Sequence, residues 1–145
     1  MKKTLTKIIS QIHETPQAKA QFKKIAKDPE RAYRYARDVI KGRWLEAEPF
    51  IAKDPESAYR YARYVIKGRL SEAEPFIAKE PSSAYRYAKD VIGGRWPEAE
   101  STIAKYADWA CWYARDVIGG RWLEAEPIIA EDPVAYNAYK RLITD

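Results

Sequence analysis

A 26-residue unit is repeated along most of this chain, and it restricts the fold more than any other feature. Residues 28–53 read DPERAYRYARDVIKGRWLEAEPFIAK, and residues 54–79 read DPESAYRYARYVIKGRLSEAEPFIAK. Residues 80–105 and 106–131 continue the pattern at the same spacing, and a truncated fifth copy, predicted to have lost one residue, begins at Asp132. A tandem repeat of this length indicates an array in which each copy packs against its neighbours.

Each unit contains the signals of two helices. Asp28 is a favourable N-cap, Pro29 suits the first helical position, and Gly42 is predicted to be the left-handed residue that ends the first helix. A second helix is predicted to start near Trp44 and to continue to about Lys53. Neither helix is long enough to be stable alone, so stacking must stabilise both. The sequence therefore predicts an all-α fold, a short α-solenoid of stacked helical hairpins.

Apolar residues recur at helical spacing within each unit and predict its buried face. In the first helix, residues at i, i+3, i+4 and i+7 form this face: Ala32, Tyr35, Ala36 and Val39. Tyr33 and Ile40 widen the apolar arc, as expected for a helix that touches neighbours on two sides. In the second helix, we expect the buried side to carry Trp44, Ala47 and Ile51.

Positive charge is concentrated at the N-terminal end of the chain. The net charge is +5, but residues 1–27 hold seven basic groups and one acidic group, which leaves the remainder close to neutral. We divide the chain into basic, degenerate N-terminal cap helices (1–27), four tandem repeats (28–131) and a truncated C-terminal capping helix (132–145). A neutral repeat array argues against a nucleic-acid-binding surface along the whole protein.

Cysteine content and hydropathy favour a cytoplasmic protein. The single cysteine, Cys111, excludes an internal disulfide and fits a reducing compartment. No apolar run approaches the roughly 18 residues that are needed to span a membrane. Lys7 and His13 interrupt the segment in which a signal peptide would need apolar residues. We therefore expect a cytoplasmic location and no membrane partner.

The residue types that carry chemistry do not form a recognisable site. His13 is the single histidine and Cys111 lies far along the array, so neither a nucleophilic triad nor a metal site is indicated. Glu46 and Glu48 are two residues apart on a helix and do not face each other. They are expected to favour the helix start and to pair with Arg43. We expect no catalytic residue, no cofactor and no metal, and we predict that the protein is not an enzyme.

The pattern AYxYAxxVIxGRWxEAExxI occurs at residues 32–51, 58–77 and 84–103, and partly at 110–129. It resembles a short tandem repeat of uncharacterised bacteriophage and prophage proteins, and the segment G-R-W-x-E-A-E is its most specific part. This resemblance covers most of the chain and implies a helical array and a phage origin, but it brings no catalytic residues. It also implies a host-directed role, such as inhibition of a bacterial defence complex in the manner of an anti-CRISPR protein.

The fourth unit departs from the pattern on a face that we predict to be exposed to solvent. There Tyr106, Trp109 and Trp112 replace charged or small polar residues at spacings of three. Exposed aromatic side chains usually mark interaction sites, and Trp, Tyr and Arg are enriched in binding hot spots. We predict a protein-binding face formed by Tyr106, Trp109, Trp112, Arg60, Tyr64 and Arg86. The alternative, weighed equally, is that the fifth unit folds over the three aromatic residues and buries them.

Nucleic-acid binding is the second function class. Arg34, Arg60 and Arg86 recur at one position of the repeat and could follow a phosphate backbone. Pairing of each arginine within its own helix argues against such a phosphate-binding row of arginines. In two repeats an aspartate lies four residues after the arginine: Asp38 after Arg34, and Asp90 after Arg86. The candidate nucleic-acid contacts are Lys2, Lys3, Lys7, Lys19, Lys23, Lys24 and Arg34. A homo-oligomeric structural protein, in which the aromatic patch pairs with its own copy, is the third class.

Overall fold

The computed structural model describes residues 15–144, and every regular element in this range is helical. Its ten α-helices are α1 Pro16–Ala26, α2 Pro29–Tyr35, α3 Glu48–Ile51, α4 Pro55–Tyr61, α5 Glu74–Ile77, α6 Pro81–Tyr87, α7 Pro97–Ile103, α8 Ala107–Tyr113, α9 Glu126–Glu131 and α10 Pro133–Thr144. Four of them continue into π-helical turns: Ala36–Ile40, Ala62–Ile66, Ala88–Ile92 and Ala114–Ile118. A 3₁₀ turn, Leu123–Ala125, precedes α9. The predicted all-α class is confirmed.

The helices pack in the order in which they occur along the chain. The first helices of the repeats, α2, α4, α6, α8 and α10, begin 26 residues apart, and each contacts the next. In each of the four repeats the first helix also contacts the second helix that follows it, and α1 contacts α2. Neighbours in sequence are therefore neighbours in space.

The first helices of repeats one to three begin as predicted. The side chain of Asp28 accepts a hydrogen bond from the backbone N–H of Arg31 at 3.0 Å, and Asp54 caps α4 in the same way. Glu80 takes this role for α6. A proline follows each capping residue, where no N–H is needed within the helix.

The end of the first helix differs from the prediction. Its last turn is π-helical, and the left-handed residue is Lys41, with φ of 57°, rather than Gly42. The N–H of Lys41 donates to the carbonyl of Ala36 five residues earlier, as in a π turn, and the N–H of Gly42 donates to the same carbonyl at 3.2 Å. The left-handed position holds Lys67 in repeat two, and Gly93 and Gly119 in repeats three and four.

Val39 is 41% exposed and lies outside the core, contrary to the prediction. A π turn contains more residues than an α turn, so the spacing that places Val39 beneath Ala36 in a regular helix does not apply here. The wider apolar arc is confirmed, since Tyr33 is buried and Ile40 packs against the core.

The second helix of repeat one begins at Glu48, later than the predicted start near Trp44. Pro49 has no N–H to donate to the carbonyl four residues earlier, so a regular α-helix cannot extend across the preceding turn. In repeat three Ser101 replaces this proline and Pro97 stands at the first helical position, so α7 is continuous from Pro97 to Ile103.

Alanine and tyrosine form much of the core. Ala32 and Ala36 are fully buried, and these small residues allow neighbouring helices to approach closely. The tyrosine at the position of Tyr35 is fully buried or nearly so in the later repeats, as Tyr61, Tyr87, Tyr113 and Tyr139. The predicted core residues of the second segment are also buried: Trp44, Ala47 and Ile51.

Each of these buried tyrosines joins its repeat to the preceding one. The Tyr61 hydroxyl accepts a hydrogen bond from the backbone N–H of Trp44 at 2.7 Å and donates one to Glu48 at 2.8 Å. Arg43 donates two hydrogen bonds to Glu48, at 2.8 and 2.7 Å, which confirms the predicted pairing for Glu48 but not for Glu46. We call this arrangement a tyrosine junction; it recurs at Tyr87, Tyr113 and Tyr139.

The protonation states in these junctions are well defined. Burial raises the pKa of the Tyr61, Tyr87 and Tyr113 hydroxyls well above the usual value, so each remains a neutral donor. The hydrogen bonds from Arg43 lower the pKa of Glu48, which keeps that carboxylate charged at neutral pH.

The fifth copy keeps the register of the array, so the predicted loss of one residue is wrong. The backbone N–H of Trp122 donates to the Tyr139 hydroxyl at 2.8 Å, across the same sequence separation as at the other junctions. The fifth copy therefore aligns with the other copies when its buried tyrosine, Tyr139, is placed at the position of Tyr61, Tyr87 and Tyr113. Tyr136 does not occupy that position. As a result, Tyr136 takes the position of the small, buried Ala32 and is 40% exposed.

Candidate protein-binding site

The three aromatic residues of repeat four lie on or next to α8. Tyr106 is 52% exposed and Trp112 is 39% exposed, whereas Trp109 is half-buried. The rings of Trp109 and Trp112 meet edge-on at 4.8 Å, and both lie near the ring of Tyr85 in α6, at 5.8 and 6.2 Å. The described part of the fifth unit leaves Tyr106 and Trp112 accessible.

A groove of about 380 Å³ between α4 and α6 contains the other predicted residues, Arg60, Tyr64 and Arg86. Tyr64 is 48% exposed, and the guanidinium group of Arg63 lies over its ring at 5.0 Å. Tyr85 also lines the groove and so connects it with the two tryptophans. We call this the basic groove because four basic and two acidic side chains line it: Arg60, Arg63, Arg86, Lys89, Glu56 and Asp90.

One carboxylate in the basic groove forms ion pairs with two arginines. Glu56 pairs with Arg60 of its own helix at 2.8 Å and with Arg86 of the next repeat at 3.2 Å. Repeat three has Ser82 where repeat one has Glu30, so no carboxylate stands four residues before Arg86. Two positive charges therefore share one negative charge at this junction.

The expected pairing of Arg34 with Asp38 is wrong. Arg34 binds Glu30, one turn earlier, at 2.6 Å, and Asp38 is bound by Arg37 at 2.7 Å. A glutamate that precedes a basic residue by four positions is the more favourable order on a helix. The positive charge of Arg34 is thus matched within its own helix, which weakens the argument for a phosphate-binding ladder.

The expected pairing of Arg86 with Asp90 is also wrong. The carboxylate of Asp90 accepts hydrogen bonds from the Tyr59 hydroxyl, at 2.6 Å, and from Arg63, both in the preceding repeat. Burial, followed by the hydrogen bond to Asp90, raises the pKa of Tyr59 to about 12, so the hydroxyl remains a donor. In repeat four, Asp116 takes the place of Asp90. It accepts hydrogen bonds from the Tyr85 hydroxyl and from Lys89, both in repeat three.

Tyr64 interrupts this series of contacts between repeats. It occupies in repeat two the position that aspartate occupies in repeats one, three and four. In repeat one, Arg37 donates instead to two residues of its own repeat: the Tyr33 hydroxyl, at 2.9 Å, and Asp38. An exposed tyrosine therefore stands where a carboxylate would connect the two repeats.

Tyr106 is a second exception that weakens the array. The helix α8 begins without a side-chain cap, whereas acidic residues cap α2, α4 and α6 at the same position. Its backbone is extended, with φ of −129° and ψ of 118°, as at the capped sites. Replacing an N-cap residue with one that cannot cap typically costs about 1 kcal/mol.

Tyr106 and Trp109 line a second groove, of about 340 Å³, between the start of α8 and the end of α9. Its charged side chains are mainly negative, and we call it the acidic groove. One basic and three acidic residues line it: Lys105, Asp108, Glu131 and Asp132. Trp109 lines the acidic groove and contacts Tyr85, which lines the basic groove. The aromatic cluster of Tyr85, Trp109 and Trp112 therefore connects the two grooves.

The candidate nucleic-acid contacts are only partly described. Lys19, Lys23 and Lys24 are exposed on α1. Arg34 lies further along the chain and is paired with Glu30. The remaining candidates fall outside residues 15–144: Lys2, Lys3 and Lys7.

Little in the described residues points to reactive chemistry. Cys111 is buried, and burial raises the pKa of its thiol, which disfavours the reactive thiolate. His13 lies outside the described residues. Within residues 15–144, no cluster of three or more His, Cys, Asp or Glu side chains could hold a metal ion, and no helix there is long and apolar enough to cross a membrane.

Tyr85 and Glu56 belong to the site but are not among the residues predicted from the sequence. Tyr85 is 7% exposed and occupies a core-like position of the repeat, so its role in joining the grooves depends on the neighbouring helix. For Glu56 a sequence signal exists, since Ser82 removes the local partner of Arg86 and leaves that arginine to pair across the junction.

The chain was compared with protein-family models, with curated proteins and with solved structures, and none of the three comparisons gave a match. The two grooves and the aromatic cluster are therefore the features of the molecule that bear on its function.

Proposed function

We propose that this chain is a non-enzymatic protein-interaction module that binds a larger protein through one continuous surface. This interaction face consists of Arg60, Tyr64, Tyr85, Arg86, Tyr106, Trp109 and Trp112. We also propose that the 26-residue repeats form a short α-solenoid, since each first helix contacts the next. Such an array would hold the interaction face on connected helices.

The proposal is carried by one observation: three departures from the repeat that remove stabilising contacts all lie on or beside this face. Tyr106 replaces an N-cap, Tyr64 replaces a carboxylate that would connect two repeats, and Ser82 removes a local partner of Arg86. Locally unfavourable residues in an otherwise consistent sequence are expected at functional sites.

The aromatic cluster also has the properties of a binding hot spot. Trp109 and Trp112 contact each other and Tyr85, so their side chains are ordered before a partner arrives. Preorganised side chains lose less conformational entropy on binding. Trp, Tyr and Arg are the residue types that most often dominate binding energy in protein interfaces.

The resemblance to phage repeats supports a bacterial host protein as the partner. We propose a defence complex, such as CRISPR machinery, that the protein would inhibit in the host cytoplasm by occupying one of its surfaces. The resemblance supports this choice of partner, whereas the contacts around Tyr85, Trp109 and Trp112 support the proposed interaction face.

Nucleic-acid binding through α1 is the second candidate, favoured by the exposed Lys19, Lys23 and Lys24. Its hallmark is a steep loss of affinity as salt is raised, because phosphate contacts release counterions. The pairing of Arg60 and Arg86 with Glu56 counts against an arginine ladder as part of such a site.

The test is a pull-down from nuclease-treated bacterial lysate with the native chain and with Trp109→Ala/Trp112→Ala. A matched control, Leu45→Ala/Leu123→Ala, removes two exposed apolar side chains outside the interaction face. Circular dichroism verifies that each variant is folded. We expect a protein that the native chain and the control retain and the tryptophan variant loses.

Equal retention by all three chains would contradict the proposal. Retention of nucleic acid alone, when nuclease is omitted, would favour α1 as the binding site. A mass that increases with protein concentration, and that the tryptophan variant abolishes, would instead indicate self-association through the face.

A further inference from the structure

The charge along the interaction face changes sign from one end to the other. Four basic and two acidic side chains line the basic groove, whereas one basic and three acidic side chains line the acidic groove. The rings of Tyr85, Trp109 and Trp112 lie between them. The face therefore presents positive charge, an aromatic cluster and negative charge in that order.

Local pairing leaves this charge order intact. In the basic groove, Arg63 pairs with Asp90, and Lys89 pairs with Asp116 of the next repeat. Arg60 and Arg86 share the single carboxylate of Glu56, and about two fifths of each of these arginine side chains is exposed. In the acidic groove, Asp132 caps α10 through the backbone N–H of Ala135, at 2.8 Å. Asp108 and Glu131 of that groove are exposed to solvent.

We infer that the interaction face binds a protein segment with the complementary order of charges. Its carboxylates lie over the basic groove, an apolar side chain packs against Trp109 and Trp112, and its basic groups lie over the acidic groove. Complementary charges speed association and set the register of a complex, while buried aromatic contacts supply much of its affinity. This inference rests on the proposed function and specifies the chemistry of the partner.

A nucleic acid fits this face less well than such a segment. Its backbone is uniformly negative, so the phosphates that follow the basic groove would be repelled by Asp108 and Glu131 at the other end. A segment of mixed charge meets attraction at both ends.

The experiment measures fluorescence anisotropy of labelled synthetic peptides with the full chain at low salt. The principal probe contains a run of glutamates, a pair of leucines and a run of lysines, in that order. Two matched probes replace one charged run, so that one has glutamates at both ends and the other has lysines at both ends. An oligothymidylate serves as the polyanion probe. We expect the mixed peptide to bind most tightly.

Two charge-reversal variants test each end of the face separately. Arg60→Glu/Arg86→Glu should weaken binding of the mixed peptide about tenfold, and should shift preference toward the peptide with lysines at both ends. Asp108→Lys/Glu131→Lys should weaken it similarly and shift preference toward glutamates at both ends. The control Arg34→Glu changes the same repeat position outside the face and should leave affinity unchanged.

The inference would be overturned by any of three results: equal binding of all peptides, no binding of the mixed peptide, or tighter binding of oligothymidylate. Unchanged preference in the folded charge-reversal variants would also overturn it. If a captured partner is lost by Trp109→Ala/Trp112→Ala but fully retained by both charge-reversal variants, the inference fails while the proposed function stands.

Discussion

The tyrosine junctions and the interaction face connect the same repeats but vary to very different degrees. At all four tyrosine junctions, the hydroxyl lies 2.7 or 2.8 Å from a backbone nitrogen of the preceding repeat. Beside the interaction face, by contrast, the contacts between repeats differ. Arg63 binds Asp90 at the second junction and Lys89 binds Asp116 at the third, whereas Tyr64 takes the place of the carboxylate at the first. The buried contacts of the tyrosine junctions therefore repeat along the array, whereas the contacts beside the interaction face change from one junction to the next.

Burial explains this difference. The backbone N–H groups of Trp44, Leu70, Trp96 and Trp122 belong to buried residues, so each needs its tyrosine hydroxyl as an acceptor. An unsatisfied buried donor costs about 1–3 kcal/mol. Exposed ion pairs contribute about 0–1 kcal/mol, because water can replace either partner. Substitutions on the interaction face are therefore tolerated more easily.

The largest effect should follow the removal of one junction hydroxyl. Tyr87→Phe leaves the Leu70 N–H without its acceptor and Glu74 without the bond at 2.9 Å, so we expect a loss of about 2 kcal/mol in the free energy of unfolding. Tyr64→Phe removes an exposed hydroxyl and should change stability by less than about 0.5 kcal/mol. Urea denaturation measures both, and equal effects would contradict the division between junction and face.

Acid should weaken the tyrosine junctions by protonating their carboxylates. Hydrogen bonds from Arg69 and then from Tyr87 hold the pKa of Glu74 below its usual value, and Glu48 and Glu100 behave alike. A carboxyl group whose pKa is lower in the folded state stabilises the fold above its unfolded pKa, about 4.3, and loses this contribution as pH falls through the folded value.

We therefore expect the melting temperature to fall steadily as pH is lowered from about 5 to 3. Glu74→Gln should destabilise the chain by roughly 1–2 kcal/mol at pH 7, and it should reduce this pH dependence. Thermal denaturation across this pH range measures both effects. If the pH profile of Glu74→Gln is as steep as that of the native chain, the junction carboxylate does not cause the acid sensitivity.

Restoring the missing cap should stabilise the fold and impair the proposed function. Tyr106→Asp places a capping carboxylate on an extended backbone like those of Asp28 and Asp54, so we expect a gain of about 1 kcal/mol. The same change removes an aromatic side chain from the interaction face and should reduce retention of the partner. Tyr106→Asn can cap the helix without adding a charge, so it measures the contribution of capping alone. A loss of stability in both variants would show that the Tyr106 side chain itself stabilises the fold.

The smallest effect should come from restoring the carboxylate between repeats one and two. Tyr64→Asp would give Tyr33 and Arg37 the partner that Tyr59 and Arg63 have in Asp90, and we expect a gain of about 0.5 kcal/mol. The gain should shrink in an Arg37→Ala background, as a double-mutant cycle would show. An undiminished gain in that background would mean that the effect is not electrostatic.

Local signals allowed much of the secondary structure to be predicted. The N-caps at Asp28 and Asp54 are correct because capping involves only residues three positions apart. Gly42 and Val39 were misplaced because the π-helical turn changes hydrogen bonding and phase in a way that α-helical spacing does not anticipate. The late start at Glu48 did have a local signal, the missing N–H of Pro49.

The candidate site was predicted less completely than the helices. Repeat comparison identified Tyr106, Trp109 and Trp112, since a departure from a regular pattern is visible without a structure. The partners of Arg34 and Arg86 were predicted wrongly, because Arg34 pairs with a residue one turn earlier in its helix and Arg86 pairs with a residue of the preceding repeat.

The sequence by itself determined the helical class, the 26-residue spacing and the positions at which the repeat is broken, because these depend on caps, prolines and periodicity within each copy. Only the tertiary structure decided which groups meet across a junction. Tyr61 reaches Trp44 and Glu48, Arg86 reaches Glu56, and Tyr85 connects two grooves, although these partners are distant in sequence or belong to another helix. Such contacts depend on how the helices stack, and stacking follows from the burial of all copies together rather than from any one of them.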